Sequence, residues 1–143
     1  MAVLSEKKKV LFICTHNSAR SQMAEGLLRA VYGGRFEASS AGTQPTHLHP
    51  LAIRVMKEIG IDISGQSAKE VSQFIETKMD FVVTVCDQAK ETCPFFPYGK
   101  TFLHQSFPDP ASFEGEEGEK SAVFRRVRDE IRRWIEEKFG QDS

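Results

Sequence analysis

Apolar residues in this chain alternate between short unbroken runs and longer, spaced stripes. Val10-Leu11-Phe12-Ile13 is an unbroken run, too short for a helix, and predicts a strand buried on both faces. A polar loop, Cys14 to Arg20, follows. Met23, Ala24, Leu27, Leu28 and Val31 then recur at three- and four-residue spacing, which predicts a helix stopped by Gly33-Gly34. Phe36 to Ala41 can form a second short strand, ended by Gly42. His49-Pro50 opens a second helix, with Pro50 suited to its first turn; Leu51, Ala52, Val55, Met56 and Ile59 form its inner stripe and Gly60 closes it. Residues Ala68 to Ile75 suggest a short helix. Phe81-Val82-Val83-Thr84-Val85 is a β-branched strand that runs straight into Cys86, and Thr101 to His104 is a shorter strand. The last helix is predicted over Glu119 to Lys138, with Val123, Phe124, Val127, Ile131, Trp134 and Ile135 as its apolar stripe.

Strands that alternate with helices imply a parallel sheet with helices on both faces. The predicted class is therefore α/β, a three-layer α/β/α sandwich around a four-stranded parallel sheet. Ligands of such sheets bind beyond the carboxyl ends of the strands. Cys14 and Cys86 both fall at strand carboxyl ends.

The chain has 143 residues, one domain's worth over 1–143, and no internal repeat. Its net charge of −1 excludes a dedicated nucleic-acid binder. The arginines of the last helix each precede an acid by four residues (Arg125–Asp129, Arg126–Glu130, Arg132–Glu136, Arg133–Glu137), so they are expected to form a solvated, self-paired face. The acidic stretch Glu114 to Glu119 is expected to be a surface turn. Val10 to Ile13 is too short for a signal segment or membrane span, and the expected location is cytoplasmic. In a reducing compartment the three cysteines are expected to be thiols. No close cysteine pair or histidine spacing suits a metal, and none is expected. His47 and His49 suggest surface or capping residues, and His104 a structural one.

The segment Cys14-Thr15-His16-Asn17-Ser18-Ala19-Arg20-Ser21 fits Cys-x5-Arg-Ser between a buried strand and a helix. A loop of this length can curl so that successive backbone N–H groups of Thr15, His16, Asn17, Ser18 and Ala19 converge on a tetrahedral oxyanion, with the positive end of the helix facing the same point. Arg20 supplies a planar fork that holds two oxygens at once. Cys14 lies at the base of this field, where its thiol is expected to ionise below the ordinary value near 8.5, with Ser21 as a further donor. Asn17 tolerates left-handed backbone geometry and can tie the loop to its neighbours.

This loop, its place after the first strand, and Asp109-Pro110 far downstream resemble the low-molecular-weight protein tyrosine phosphatases. The resemblance implies a nucleophile in Cys14, an oxyanion binder in Arg20 and a general acid in Asp109. A carboxyl group facing an anion holds its proton more tightly, which suits that last role. Cys86-Asp87-Gln88-Ala89-Lys90-Glu91-Thr92-Cys93-Pro94 adds two more cysteines, and the combination resembles the arsenate reductases built on the same fold and recycled by thioredoxin. What this implies is a thiol–disulfide relay from Cys14 to Cys86 to Cys93, with arsenate as substrate, phosphate or sulfate able to occupy the same loop, thioredoxin as electron donor, a monomer and no cofactor. The alternative is a small phosphatase that hydrolyses phosphomonoesters through a cysteinyl-phosphate; a third is an oxyanion-binding or redox-sensing protein without turnover. Against the phosphatase pattern, His16 replaces the usual Gly and Ala19 the usual second Cys. Ala111-Ser112-Phe113 lacks the aromatic stacking arrangement of the tyrosine phosphatases. Some reductases of the family hold a potassium ion near the loop; Asn17, Glu25 and Ser40 match its positions, but Lys69 stands where a carboxylate is expected.

Helix geometry adds an expectation about the central pair. Seven residues of helix span roughly 10.5 Å, whereas a disulfide needs Cα atoms within about 7 Å. Cys86 and Cys93 therefore cannot bond unless the segment between them, helical when reduced, unwinds.

Overall fold

The computed structural model describes residues 7–141. The outermost residues of the expected domain, 1–6 and 142–143, lie outside them. Strand β1 (Lys8–Cys14) is followed by helix α1 (Arg20–Tyr32), β2 (Phe36–Gly42) and α2 (Pro50–Glu58). A single 3-10 turn (Val71–Phe74) leads to β3 (Met79–Thr84), then α3 (Asp87–Thr92) and β4 (Gly99–His104). A second 3-10 turn (Pro110–Ser112) precedes the long α4 (Glu117–Phe139). The four strands form one parallel sheet in the order β2-β1-β3-β4, flanked by helices.

The unbroken apolar run forms the inner strand β1. Val10, Leu11, Phe12 and Ile13 are fully buried although they point alternately to opposite faces, so both faces of the sheet are covered. On one face Phe139 closes α4 onto the sheet, with its ring edge-on to Phe12, Phe36 and Phe81. The register pairs Cys14 with Gly42 and Ile13 with Thr84, which sets the carboxyl ends of β1, β2 and β3 side by side. The site grows from that end.

Three local expectations are corrected. The segment expected to be helical over Ala68–Ile75 makes only the one turn, because Glu70 is held extended by a bridge to Gly42 and supplies no side-chain cap, so no helix starts before Val71. The acidic stretch is not all turn. Glu116 caps α4, its side chain accepting from the Glu119 N–H while Glu119 Oε1 accepts from the Glu116 N–H at 3.1 Å, and this reciprocal box starts the helix at Glu117. The arginine face of α4 is only partly self-paired. Arg132 meets Glu136 at 3.8 Å, but Arg125 makes a two-pronged bond to Glu58 of α2 at 2.8 and 2.9 Å. A neighbouring helix with a planar fork match displaces the weak i,i+4 pair. Among the described residues no helix is long and apolar enough to cross a membrane.

Candidate active site

Cys14 is the last residue of β1, and the loop to α1 curls over it. The carbonyls of Cys14, Thr15, His16 and Ser18 accept N–H groups of Thr43, Gln44, Thr46 and His49, at 2.8 to 3.2 Å. The segment after β2 thus holds the loop's carbonyl edges outward, leaving the N–H edges for the hollow above Cys14. Ala19 at the head of α1 provides no side-chain cap, so the first helical N–H groups are open to an anion there. Gly42 permits this packing: a Cβ on it would lie 2.6 Å from the Thr15 carbonyl oxygen and 3.0 Å from Asn17 N.

Asn17 has φ +49°, among the described residues the one non-glycine in the left-handed region. Its fully buried side chain fixes the loop. Nδ2 donates to Ser21 Oγ at 2.7 Å and Ser40 Oγ at 3.0 Å; Oδ1 accepts from Gln22 Nε2 at 3.1 Å and from the Lys69 N–H at 2.9 Å. Gln22 also donates to the Asn17 carbonyl at 2.9 Å.

Cys14 Sγ lies 2.8 Å from Ser21 Oγ and accepts the Asn17 N–H at 3.2 Å. Because Ser21 Oγ already accepts from Asn17, its own proton is free to go to the sulfur. Burial pushes the Cys14 thiol above its ordinary value; the Ser21 hydroxyl and N–H, the Arg20 charge and the Asn17 N–H pull the other way without cancelling it. The expected fall is therefore overturned: the sulfur is almost wholly desolvated, and that outweighs its donors.

Arg20 is nearly buried. One nitrogen donates to the Phe107 carbonyl at 3.2 Å, and the other lies 3.8 Å from Asp109 Oδ2. Asp109 caps the turn at Pro110, with Oδ1 accepting from the Ala111 N–H at 3.0 Å. Its second oxygen faces the guanidinium across the mouth of the loop. His49 caps α2, Nδ1 accepting the Leu51 N–H at 3.1 Å, and stacks at 4.8 Å on Phe124.

Cys86 is buried beside the loop. Its Sγ is 3.4 Å from Thr15 Oγ1 and caps α3 by accepting the Ala89 N–H at 3.4 Å. Cys93 closes the other end of α3, half-buried, with its N–H on the Ala89 carbonyl at 2.8 Å; burial pushes its thiol up. All three cysteines are free thiols. His104 bridges Thr84 Oγ1 at 2.7 Å and Asp87 Oδ1 at 3.0 Å, tying β4 to the start of α3.

The structure thus brings Cys14, Arg20, Ser21, Asp109 and Cys86 to one end of the sheet, and sets Cys93 one short helix away. Sequence reasoning missed Gly42, Gln22 and the Phe107 carbonyl. Only a buried-phase glutamine beside Met23 hinted at Gln22; the other two act through contacts distant in the chain.

The matching positions for potassium do not fit the ion. Glu25 Oε1 accepts Ser40 Oγ at 2.6 Å and faces Lys69 Nζ at 3.9 Å, while Oε2 accepts Arg29. Two cations already balance that one carboxylate, and the oxygens of Asn17 and Ser40 are engaged.

Known proteins resemble the chain over most of its length. An arsenate reductase of Halalkalibacterium halodurans is 49% identical over 125 residues, 87% of this chain and 90% of that one. A solved arsenate reductase in the phosphate binding state superposes with a TM-score of 0.81 at 34% identity, covering 95% of this chain and 99% of that one. The thioredoxin-dependent arsenate reductase of Corynebacterium glutamicum does so with a TM-score of 0.66 at 30% identity, covering 97% of this chain and 66% of that longer one. The family model for low molecular weight phosphotyrosine protein phosphatase matches residues 9–141, nearly all of the described chain, and the protein belongs to that family.

Proposed function

We propose that this chain is an arsenate reductase that works through three thiols and draws its electrons from thioredoxin. The observation that carries this reading is the second sulfur at the oxyanion loop: Cys86 Sγ lies 3.4 Å from the hydroxyl of Thr15, the residue that follows Cys14. A phosphatase needs no such neighbour.

Arsenate, tetrahedral like phosphate, binds in the N–H hollow with Arg20 across two oxygens. Binding the oxyanion also supplies a base. A proton passes from Cys14 to the bound dianion, so a thiol that burial keeps protonated becomes a thiolate as the substrate enters. The thiolate attacks arsenic, and an oxygen leaves as water with a proton from Asp109. Cys86 then attacks Cys14 Sγ. The sulfur–arsenic bond breaks with its electron pair on arsenic, which departs as arsenite and leaves a Cys14–Cys86 disulfide. Cys93 attacks Cys86 Sγ and releases the Cys14 thiolate, moving the disulfide to Cys86–Cys93. A thioredoxin dithiol then reduces that bond. Access supports this last step: Cys93 borders a groove lined by Pro94, Phe95 and Phe102, with Phe95 78% exposed. Such a relay requires thiols kept reduced, as in the cytoplasm.

Residual phosphatase activity follows from the shared loop and nucleophile. The test separates the readings. Cys86→Ser and Cys93→Ser are expected to lose multiple-turnover arsenate reduction while keeping hydrolysis of an aryl phosphate. One turnover without reductant should leave a Cys86–Cys93 disulfide by mass mapping. If wild type and variants alike hydrolyse the aryl phosphate and none reduces arsenate, the chain is a phosphatase; if both variants reduce arsenate at the wild-type rate, the three-thiol relay is wrong.

A further inference from the structure

Helix α3 must be lost and remade in every cycle of the proposed relay, and its own anchors are weak. It has six residues and buries only Ala89. A helix so short does not hold by its backbone bonds alone, so side chains have to fasten it. Thr15 Oγ1 donates to Gln88 Oε1 at 3.3 Å, and Cys86 Sγ accepts the Ala89 N–H at 3.4 Å. Among the described residues, the shortest side-chain bond from α3 to another element is neither of these. It joins Asp87 Oδ1, in the first turn, to His104 Nε2 of β4 at 3.0 Å.

His104 is the fixed end of that bond. It closes β4 opposite Thr84, the buried last residue of β3, and its Nδ1 lies 2.7 Å from the Thr84 hydroxyl. The chain beyond it is stitched to the same strand end, with the Gln105 and Phe107 N–H groups on the Thr84 and Val85 carbonyls at 3.0 Å. An ionised Asp87 has no proton to give, so Nε2 is the donor. Nδ1 of a neutral ring then accepts the Thr84 proton. A charged ring donates there instead and leaves the Thr84 hydroxyl the Leu103 carbonyl, at 3.5 Å. The ring keeps its orientation in either state. Asp87 is the movable end, with its side chain 80% exposed. A six-residue helix cannot lose one turn and keep another, so Asp87 leaves His104 when the segment unwinds to let Cys86 and Cys93 bond.

We propose that His104 is a positioning residue for α3: by holding Asp87 only while the segment is helical, it favours the dithiol over the Cys86–Cys93 disulfide and makes that bond easier for the reductant to open. The inference rests on the relay reading, but its test uses no arsenate. The full chain is equilibrated without oxygen in mixtures of reduced and oxidised dithiothreitol. The reagent's disulfide takes up two electrons and two protons as the Cys86 and Cys93 thiols join. Samples are quenched in acid and alkylated, and the Cys86–Cys93 linked peptide is quantified by mass. His104→Asn keeps an acceptor for Thr84 but is too short to reach Asp87. It should shift the equilibrium about threefold toward the disulfide, as expected for one partly exposed charge-assisted bond, which is about 14 mV more negative for a two-electron couple. Asp87→Ala should shift it at least as far, because its charge also favours a helix start, and the double variant no further than Asp87→Ala alone. His104→Gln, long enough to donate to Asp87, should stay near the wild type. A merely structural histidine would lower the melting temperature of both redox forms and leave the equilibrium in place. An unmoved equilibrium in folded His104→Asn, or shifts that simply add in the double variant, overturns the proposal; His104→Phe, a ring without nitrogens, replaces His104→Asn if that variant does not fold. If no mixture yields a Cys86–Cys93 disulfide, the relay reading itself falls and takes this role with it. A disulfide that forms alike in wild type and variants removes only the role of His104.

Discussion

Cys14 shows why residue type and residue environment have to be weighed separately. A cysteine at the foot of an anion loop suggests a low pKa, yet burial wins here over the Ser21 hydroxyl, the N–H donors and the Arg20 charge. The Ser21 hydrogen bond then matters more, because it is the largest influence pulling the thiol back down. Ser21→Ala is expected to move Cys14 further up and to slow its alkylation near neutral pH by about tenfold, the effect of one pKa unit. A pH series of iodoacetamide modification checks this; a variant profile that coincides with the wild type would remove Ser21 from the site. Asn17 belongs to the same scale. Its left-handed backbone could be anticipated from residue type, but its four side-chain partners come from α1, β2 and the segment before the Val71 turn, which no local pattern announces.

Elements position the chemistry by their ends. The carboxyl end of β2 must pass close under the loop, and Gly42 is the point of contact. Gly42→Ala would drive a methyl into the Thr15 carbonyl, and overpacking of this kind costs about 1–3 kcal/mol. The expected result is a lowered urea midpoint together with weakened phosphate binding, measured by denaturation and calorimetry. Helix α3 is the second such element. It has six residues, buries only Ala89, and holds Cys86 and Cys93 at opposite ends. Amide exchange at residues 87–92 is expected to show protection in the reduced protein and to lose it once the Cys86–Cys93 disulfide is formed. Equal protection in both states would mean that the pair can bond without unwinding, against helix geometry.

The architecture of the whole molecule was legible because its dominant forces are periodic. The run Val10–Ile13 and the spaced stripes of α1, α2 and α4 follow directly from burial on two faces or on one. The three cysteines, Arg20 and Asp109 of the candidate site were legible because the chemistry proposed for them fixes their spacing or because the family pattern contains them. Gln22, Gly42, the Phe107 carbonyl and the Arg125–Glu58 bond were not, since each depends on contact between distant segments. The global stability carries the mark of the buried thiols. Cys14 and Cys93 both titrate higher folded than unfolded, so the folded chain retains protons that the unfolded chain has lost. Their contribution is full below the unfolded value near 8.5 and disappears as pH rises through the folded values. Urea midpoints are expected to fall from about pH 8.5 upward, and Cys14→Ser should flatten that fall. A wild-type midpoint that is level across this range would contradict the burial of these groups.

The sulfur of Cys86 is at once the first anchor of α3, where it accepts the Ala89 N–H, and, in the proposed relay, the atom that leaves that post. A sulfur drawn into a bond with Cys14 can no longer serve as a good acceptor at the helix start. In the proposed relay the fastening is therefore undone by the very step that calls for movement, and Cys93 is brought within range by the event it would resolve. Timing of this kind needs no separate trigger.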